Sequence, residues 1–329
     1  MIRVRPPAVQ WPFDLVRWAL EETLRGALPP EEPEILRFLA GIGWRFEQRL
    51  TPGRALLLGD EARRCFGANV RTATAIVREA QDLALQARME RLVLPRMRAE
   101  ELAAVVRVAG RTGSPAVVLY PHTANVDLLV AALAWQSPGL VVFSARGLPP
   151  ATAGAVGAVR PTRINSRLAR RRAEDDARLP IRWEADPTAL AGWLARGHVV
   201  AAAFDDRAWP TYVRVPFLGR EALLSPEPYA LARSAGVPLH FATIRRERDK
   251  SSRVVIGPPV VPELGEWLRD HATPFLRAYP GHYAGWLAEC RMRANLDDHP
   301  LFADYAPDAR WLGWPVYDEP MRAEAASDH

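Results

Sequence analysis

The 329-residue sequence predicts an α/β fold: a mostly parallel sheet covered on both faces, flanking helices, and a helical N-terminal extension. Two observations carry this. Short apolar runs stand at 116–120, 140–143, 199–204, 237–244 and 253–256. Helical or turn-rich sequence separates them, which is the pattern of strands buried on both faces. Helix-stop glycines, Gly197 and Gly236, also fall just ahead of two of the runs.

The elements follow in order. Trp11, Leu15 and Trp18 share one helical face, and after Pro29-Pro30 so do Ile35, Leu36, Phe38, Leu39 and Ile42. These stripes fit either a helical pair packed on the main domain or a helix in a membrane interface, where Trp and Arg are favoured. Residues 60–110 read as long helices split near Pro95. Residues 187–197 form a helix that feeds the strand HVVAAAF, and 226–235 a helix that feeds VPLHFATI. The expected organisation is an extension over 1–59, an α/β domain over 60–317 and a frayed tail over 318–329.

Composition narrows the function classes. No stretch reaches the roughly 18 uninterrupted apolar residues that a spanning helix needs. No secretory leader pattern is present, so a cytoplasmic location is expected. Cys65 and Cys290 lie far apart, and neither a disulfide framework nor a metal site is indicated. The net charge is +5, and Lys250 is the lone lysine among 43 basic residues. Such a surface suits acidic partners in general. The basic run RPTRINSRLARRR at 160–172 could dock an acidic carrier protein, grip lipid phosphates or form a solvated helix face. It lacks interleaved aromatics, and the chain has no recognised nucleic-acid module, so no nucleic-acid partner is expected.

The chemistry concentrates in VVLYPHTANVDLLV, residues 117–130. Tyr120 ends a strand and Pro121 discourages its continuation. His122 then stands at the carboxyl edge of the sheet, where open α/β sheets bind ligands. Asn125 is a helix N-cap candidate, and Asp127 falls in the first helical turn. An Asp–His pair fixes the ring tautomer and frees the other nitrogen to take a proton. A capped helix start, with Asp127 answering the helix dipole, is the structural alternative.

The stretch His122-Thr-Ala-Asn125-Val-Asp127 resembles the first motif of the lysophospholipid acyltransferase superfamily, His-x₄-Asp/Glu after a strand. It is most similar to the His-x-Gly-Asn-Trp-Glu form of the bacterial lipid A biosynthesis late (lauroyl/myristoyl) acyltransferases. LARGHVVAAAFDDR, with Asp205 and Asp206, resembles that family's next segment. VRVPFLGREALLSPEPYALARSAGVPLHFATIRR, with Ser225 and Arg245, resembles the one after it. YPGHYAGWLAECRMR resembles the closing element, so the ordered match spans 60–295. The chain departs from the pattern in carrying Ala124, Val126 and Asp127.

The resemblance implies direct acyl transfer from acyl carrier protein or acyl coenzyme A to a hydroxyl or amine of a lipid. No bound cofactor and no metal are implied, and membrane contact would be peripheral, on the inner membrane. His122 would be the general base and Asp127 its orienting carboxylate. Asn125, Asp205, Ser225 and Arg245 would contact substrate. Each also has a plain structural role open to it: a cap, a loop carboxylate, a turn and a surface cation. The alternative function is a catalytically silent module of the same fold that binds an acyl chain or carrier protein. An α/β hydrolase is disfavoured because no Gly-x-Ser-x-Gly elbow precedes a helix.

Overall fold

A computed structural model describes residues 52–143, 179–305 and 316–317, except 124, 207–208, 210, 248–250, 261–262 and 295–299. The aromatic stripes at 11–50, the basic run at 160–172 and the tail at 318–329 lie outside the described residues.

The chain opens with helices α1 (Pro52–Phe66), α2 (Val70–Val93) and α3 (Ala99–Val105), and α1 runs continuously through residue 60. Strands β1 (Val106–Ala109) and β2 (Ala116–Tyr120) lead to α4 (Val126–Gln136) and β3 (Leu140–Phe143). Then come β4 (Ile181–Glu184), α5 (Pro187–Ala195), β5 (Val199–Ala203), β6 (Tyr212–Phe217) and β7 (Arg220–Leu224). Helix α6 (Glu227–Ser234), β8 (Leu239–Arg246) and β9 (Ser252–Ile256) follow. The chain continues through α7 (Leu264–Trp267), α8 (Thr273–Ala278) and α9 (Pro280–Ala294) to β10 (Val316–Tyr317).

Seven strands form the main sheet in the order β1-β9-β8-β2-β5-β3-β4. Strands β8, β2, β5, β3 and β4 are mutually parallel, and β9 runs against β8. Every residue of β2, β3 and β5 is buried. Alternate residues serve opposite faces. Val117, Leu119, Val200, Ala202 and Phe241 join one core cluster, whereas Val118, Tyr120, Ala201, Ala203 and Ala242 join the other. Each fully buried Val or Leu contributes about 1.5–3 kcal/mol over leaving it exposed. Helix α4 is buried at every position from 128 to 134, because it covers the second face with apolar side chains all round.

The helix-stop glycines sit where the sequence placed them. Gly197 and Gly236 take φ of +85° and +63°, the left-handed conformation that ends α5 and α6. Residues 106–109, expected inside a helix, instead form β1. Val106 and Val108 alternate onto the core while the strand pairs with β9. The β6–β7 hairpin turns on Leu218 and Gly219, both at positive φ, which suits a two-residue hairpin turn.

Helices α1, α2 and α9 pack together through Leu57, Leu58, Ala62, Ile76, Ala80, Ala284 and Ala288. A polar hub pins this bundle to the hairpin. The fully buried Glu61 carboxylate accepts from Arg220 and Arg291, both at 2.8 Å, and from the Tyr305 hydroxyl at 2.6 Å.

Candidate active site

Register explains how the site forms. In the β2–β5 ladder Tyr120 lies opposite Ala203, and the Phe204 N–H donates to the Tyr120 carbonyl at 3.1 Å. Two residues further along each strand bring His122 level with Asp205. The His122 Nδ1 lies 2.7 Å from Asp205 Oδ1, and the His122 backbone N–H donates to both carboxylate oxygens at 3.1–3.2 Å. Asp205 is fully buried, whereas the imidazole keeps 23% of its side-chain surface. With Nδ1–H donating to the carboxylate, Nε2 is the ring nitrogen that carries the lone pair. The arrangement is a base poised at the carboxyl edge of the sheet.

Helix α9 holds this pair from behind. The Tyr283 hydroxyl donates to Asp205 Oδ2 at 2.8 Å, and Trp286 stacks on His122 with ring centroids 4.0 Å apart. Tyr283 is fully buried; burial first, then the Asp205 charge, pushes its pKa far above the ordinary value, so it stays a donor. Neither aromatic was singled out from the sequence. The available signal was their i, i+3 spacing inside YPGHYAGW, which puts both on one helix face.

The other expected site residues take different places. The carboxylate on the imidazole Nδ1 belongs to Asp205, so the orienting place read onto Asp127 is filled from strand β5. Asp127 stands half-buried in the first turn of α4. Burial first, then the charges of Asp206, Asp205 and Asp127, raises the pKa of Tyr120. Asn125 occupies the N-cap position of α4, yet its side chain makes no capping bond. The Ser225 hydroxyl accepts the Glu227 N–H at 3.2 Å, which is the turn role. Arg245, the last residue but one of β8, lies on the same sheet edge as His122, bound to Glu247 at 3.0 Å and to the Tyr279 hydroxyl.

Both cysteines are buried free thiols, and burial pushes Cys65 up to about 12, far from the thiolate a nucleophile needs.

His282 precedes Tyr283, is 3% exposed, and its Nδ1 has no hydrogen-bond partner among the described residues. Burial, then the nearby Arg246 and Arg245 charges, lowers its pKa from 6.5 to about 4. The unfolded chain therefore binds this proton at higher pH than the folded one. Its contribution to stability is complete above pH ~6.5 and is lost as pH falls toward about 4, by about 3 kcal/mol. Urea unfolding of His282→Gln should show a correspondingly shallower acid loss than the wild type. Parallel pH profiles would remove His282 as the source.

Comparison with known proteins adds one match. The family model described as bacterial lipid A biosynthesis acyltransferase aligns with residues 28–272, well over half of the chain. No curated protein matches.

Proposed function

Since the chain belongs to the bacterial lipid A biosynthesis acyltransferase family, we propose that it moves a fatty acyl group from a thioester to a hydroxyl or amine of a lipid. Acyl carrier protein or coenzyme A carries the acyl group, and the acceptor is lipid A-like or another lysolipid. The observation that carries this reading is the His122–Asp205 pair at the carboxyl edge of the sheet.

His122 Nε2 takes the proton from the acceptor as its oxygen or nitrogen attacks the thioester carbonyl. The new C–O or C–N bond forms, the tetrahedral intermediate collapses, and the C–S bond breaks. The imidazolium then returns its proton to the departing thiolate. Asp205 holds the Nδ1–H tautomer and stabilises the imidazolium, while Tyr283 and Trp286 fix the carboxylate and the ring. In this reading transfer is direct, from the thioester to the acceptor, with no acyl-enzyme intermediate. Arg245 offers a cation at the same edge for an acceptor or donor phosphate.

Contact with a membrane surface belongs to the proposal because the acceptor is a lipid. No helix among the described residues is long and apolar enough to cross a membrane. The test supplies the full chain with radiolabelled lauroyl coenzyme A or lauroyl-acyl carrier protein and a membrane lipid extract. Label in lipid is the expected result. Label released only as free fatty acid would replace the reading with hydrolysis, and neither product would favour the binding-module alternative.

A further inference from the structure

A thioester attacked at its carbonyl carbon places negative charge on the carbonyl oxygen, and the pair described above holds nothing that answers it. Three residues beyond His122, the fold leaves donors unspent. Asn125 is 1% exposed, and neither its Nδ2 nor its Oδ1 has a hydrogen-bond partner among the described residues. Thr123 is 4% exposed, and its hydroxyl is likewise unpartnered among them. A buried amide left unsatisfied is costly, and native proteins keep few of them.

The local backbone shows why these groups stay unspent. Thr123 N–H bonds the Pro121 carbonyl at 2.8 Å, and Val126 N–H bonds the Thr123 carbonyl at 3.3 Å. These two tight turns swing the chain from strand β2 into α4 within five residues. Asn125 lands at the N-cap position with φ −107° and ψ 33°, outside the extended backbone that normally lets an N-cap side chain reach the helix N–H groups. Its carbonyl still accepts the first helical bond, from Leu129 N–H at 3.1 Å. The residue starts the helix without capping it. Its carboxamide is therefore left at the mouth of an 11-residue helix whose dipole favours negative charge.

We infer that the Asn125 carboxamide, together with the Thr123 hydroxyl two residues before it, is the oxyanion-stabilising site of the transfer reaction. The inference rests on the reading of the chain as an acyltransferase. As the acceptor bonds to the carbonyl carbon, the C=O π electrons move onto oxygen, where Asn125 Nδ2–H and Thr123 O–H donate to it. Both side chains are buried from bulk water, the setting in which such donors act most strongly. When the C–S bond breaks, the carbonyl re-forms and the donors are released, unchanged in protonation.

The test measures transfer from lauroyl coenzyme A and lauroyl-acyl carrier protein by wild type, Asn125→Ala, Asn125→Asp, Thr123→Val and His122→Ala, with melting temperatures alongside. Asn125→Ala is expected to lower kcat by about 10²–10³-fold, with KM for the thioester unchanged. Its Tm should stay level or rise, because an unsatisfied amide is removed. Asn125→Asp keeps the shape without the donor and should lose rate similarly, while Thr123→Val loses less. A near-wild-type rate in Asn125→Ala with His122→Ala inactive would overturn the oxyanion assignment alone. So would a rate loss matched by a fallen Tm, which marks the amide as structural. A His122→Ala variant that keeps full activity would overturn the acyltransfer reading itself, and this assignment with it.

Discussion

Replacing Asp205 by Asn is expected to lower acyl transfer by about 10⁴-fold with little change in fold. The carboxylate accepts from three donors: the His122 backbone N–H, the His122 Nδ1–H and the Tyr283 hydroxyl. A carboxamide has a single acceptor oxygen. Turning that oxygen toward Tyr283 presents its NH₂ to Nδ1 and forces the proton onto Nε2, where the base must be free. Asp127→Asn keeps the Asp205 carboxylate on Nδ1 and should change the rate far less. If Asp127→Asn instead proves the more damaging of the two, His122 is oriented from the helix that follows it and the cross-strand assignment fails. Steady-state rates of both variants, normalised to folded protein, decide the matter.

The second large effect is on stability. Glu61→Ala is expected to cost about 3–5 kcal/mol, because it strands cations inside the protein instead of deleting a matched pair. The carboxylate is fully buried and receives Arg220, Arg291 and Tyr305. Arg220 keeps only 9% of its side-chain surface and also lies over the Phe302 ring at 3.9 Å, so it has little access to water. Asp304 and Asp60 remain as partial counter-ions for the two arginines. For a domain of this size the loss corresponds to a fall in Tm of ~10 °C. Turnover should drop as well, because Arg291 lies on the helix that carries Tyr283 and Trp286. Denaturant unfolding that shows less than about 1 kcal/mol of change would mean the hub is screened like a surface pair.

The strands were legible because burial on both faces leaves uninterrupted apolar runs, as in AVVLY and VVAAA. Strand β1 was not, since VRVA continues the Ala- and Arg-rich texture of the preceding helix and only its pairing with β9 decides it. His122 was legible from its place after a strand-ending proline. Asp205 was legible as a carboxylate at a strand end, but its role was hidden, because 83 residues separate it from His122 and a sequence does not state that β2 and β5 are neighbours. Asp127 drew the orienting role through proximity in sequence, which is a poor guide where a strand turns into a helix. Tyr283 and Trp286 were within a motif already noticed, yet nothing local says which face of α9 meets the sheet edge. Nothing in the sequence separates Glu61 from the other charges of the helical 60–110 stretch, because its burial depends on Arg220 of the hairpin and Tyr305 of the 303–305 turn.

The proposed chemistry rests on His122 as the base of an acyl transfer. The direct measurement is the initial rate of label transfer from the acyl thioester into lipid by wild type and His122→Ala, both checked for native circular dichroism. A loss of about 10²–10⁴-fold in the variant is predicted. Equal rates from two folded proteins would contradict it.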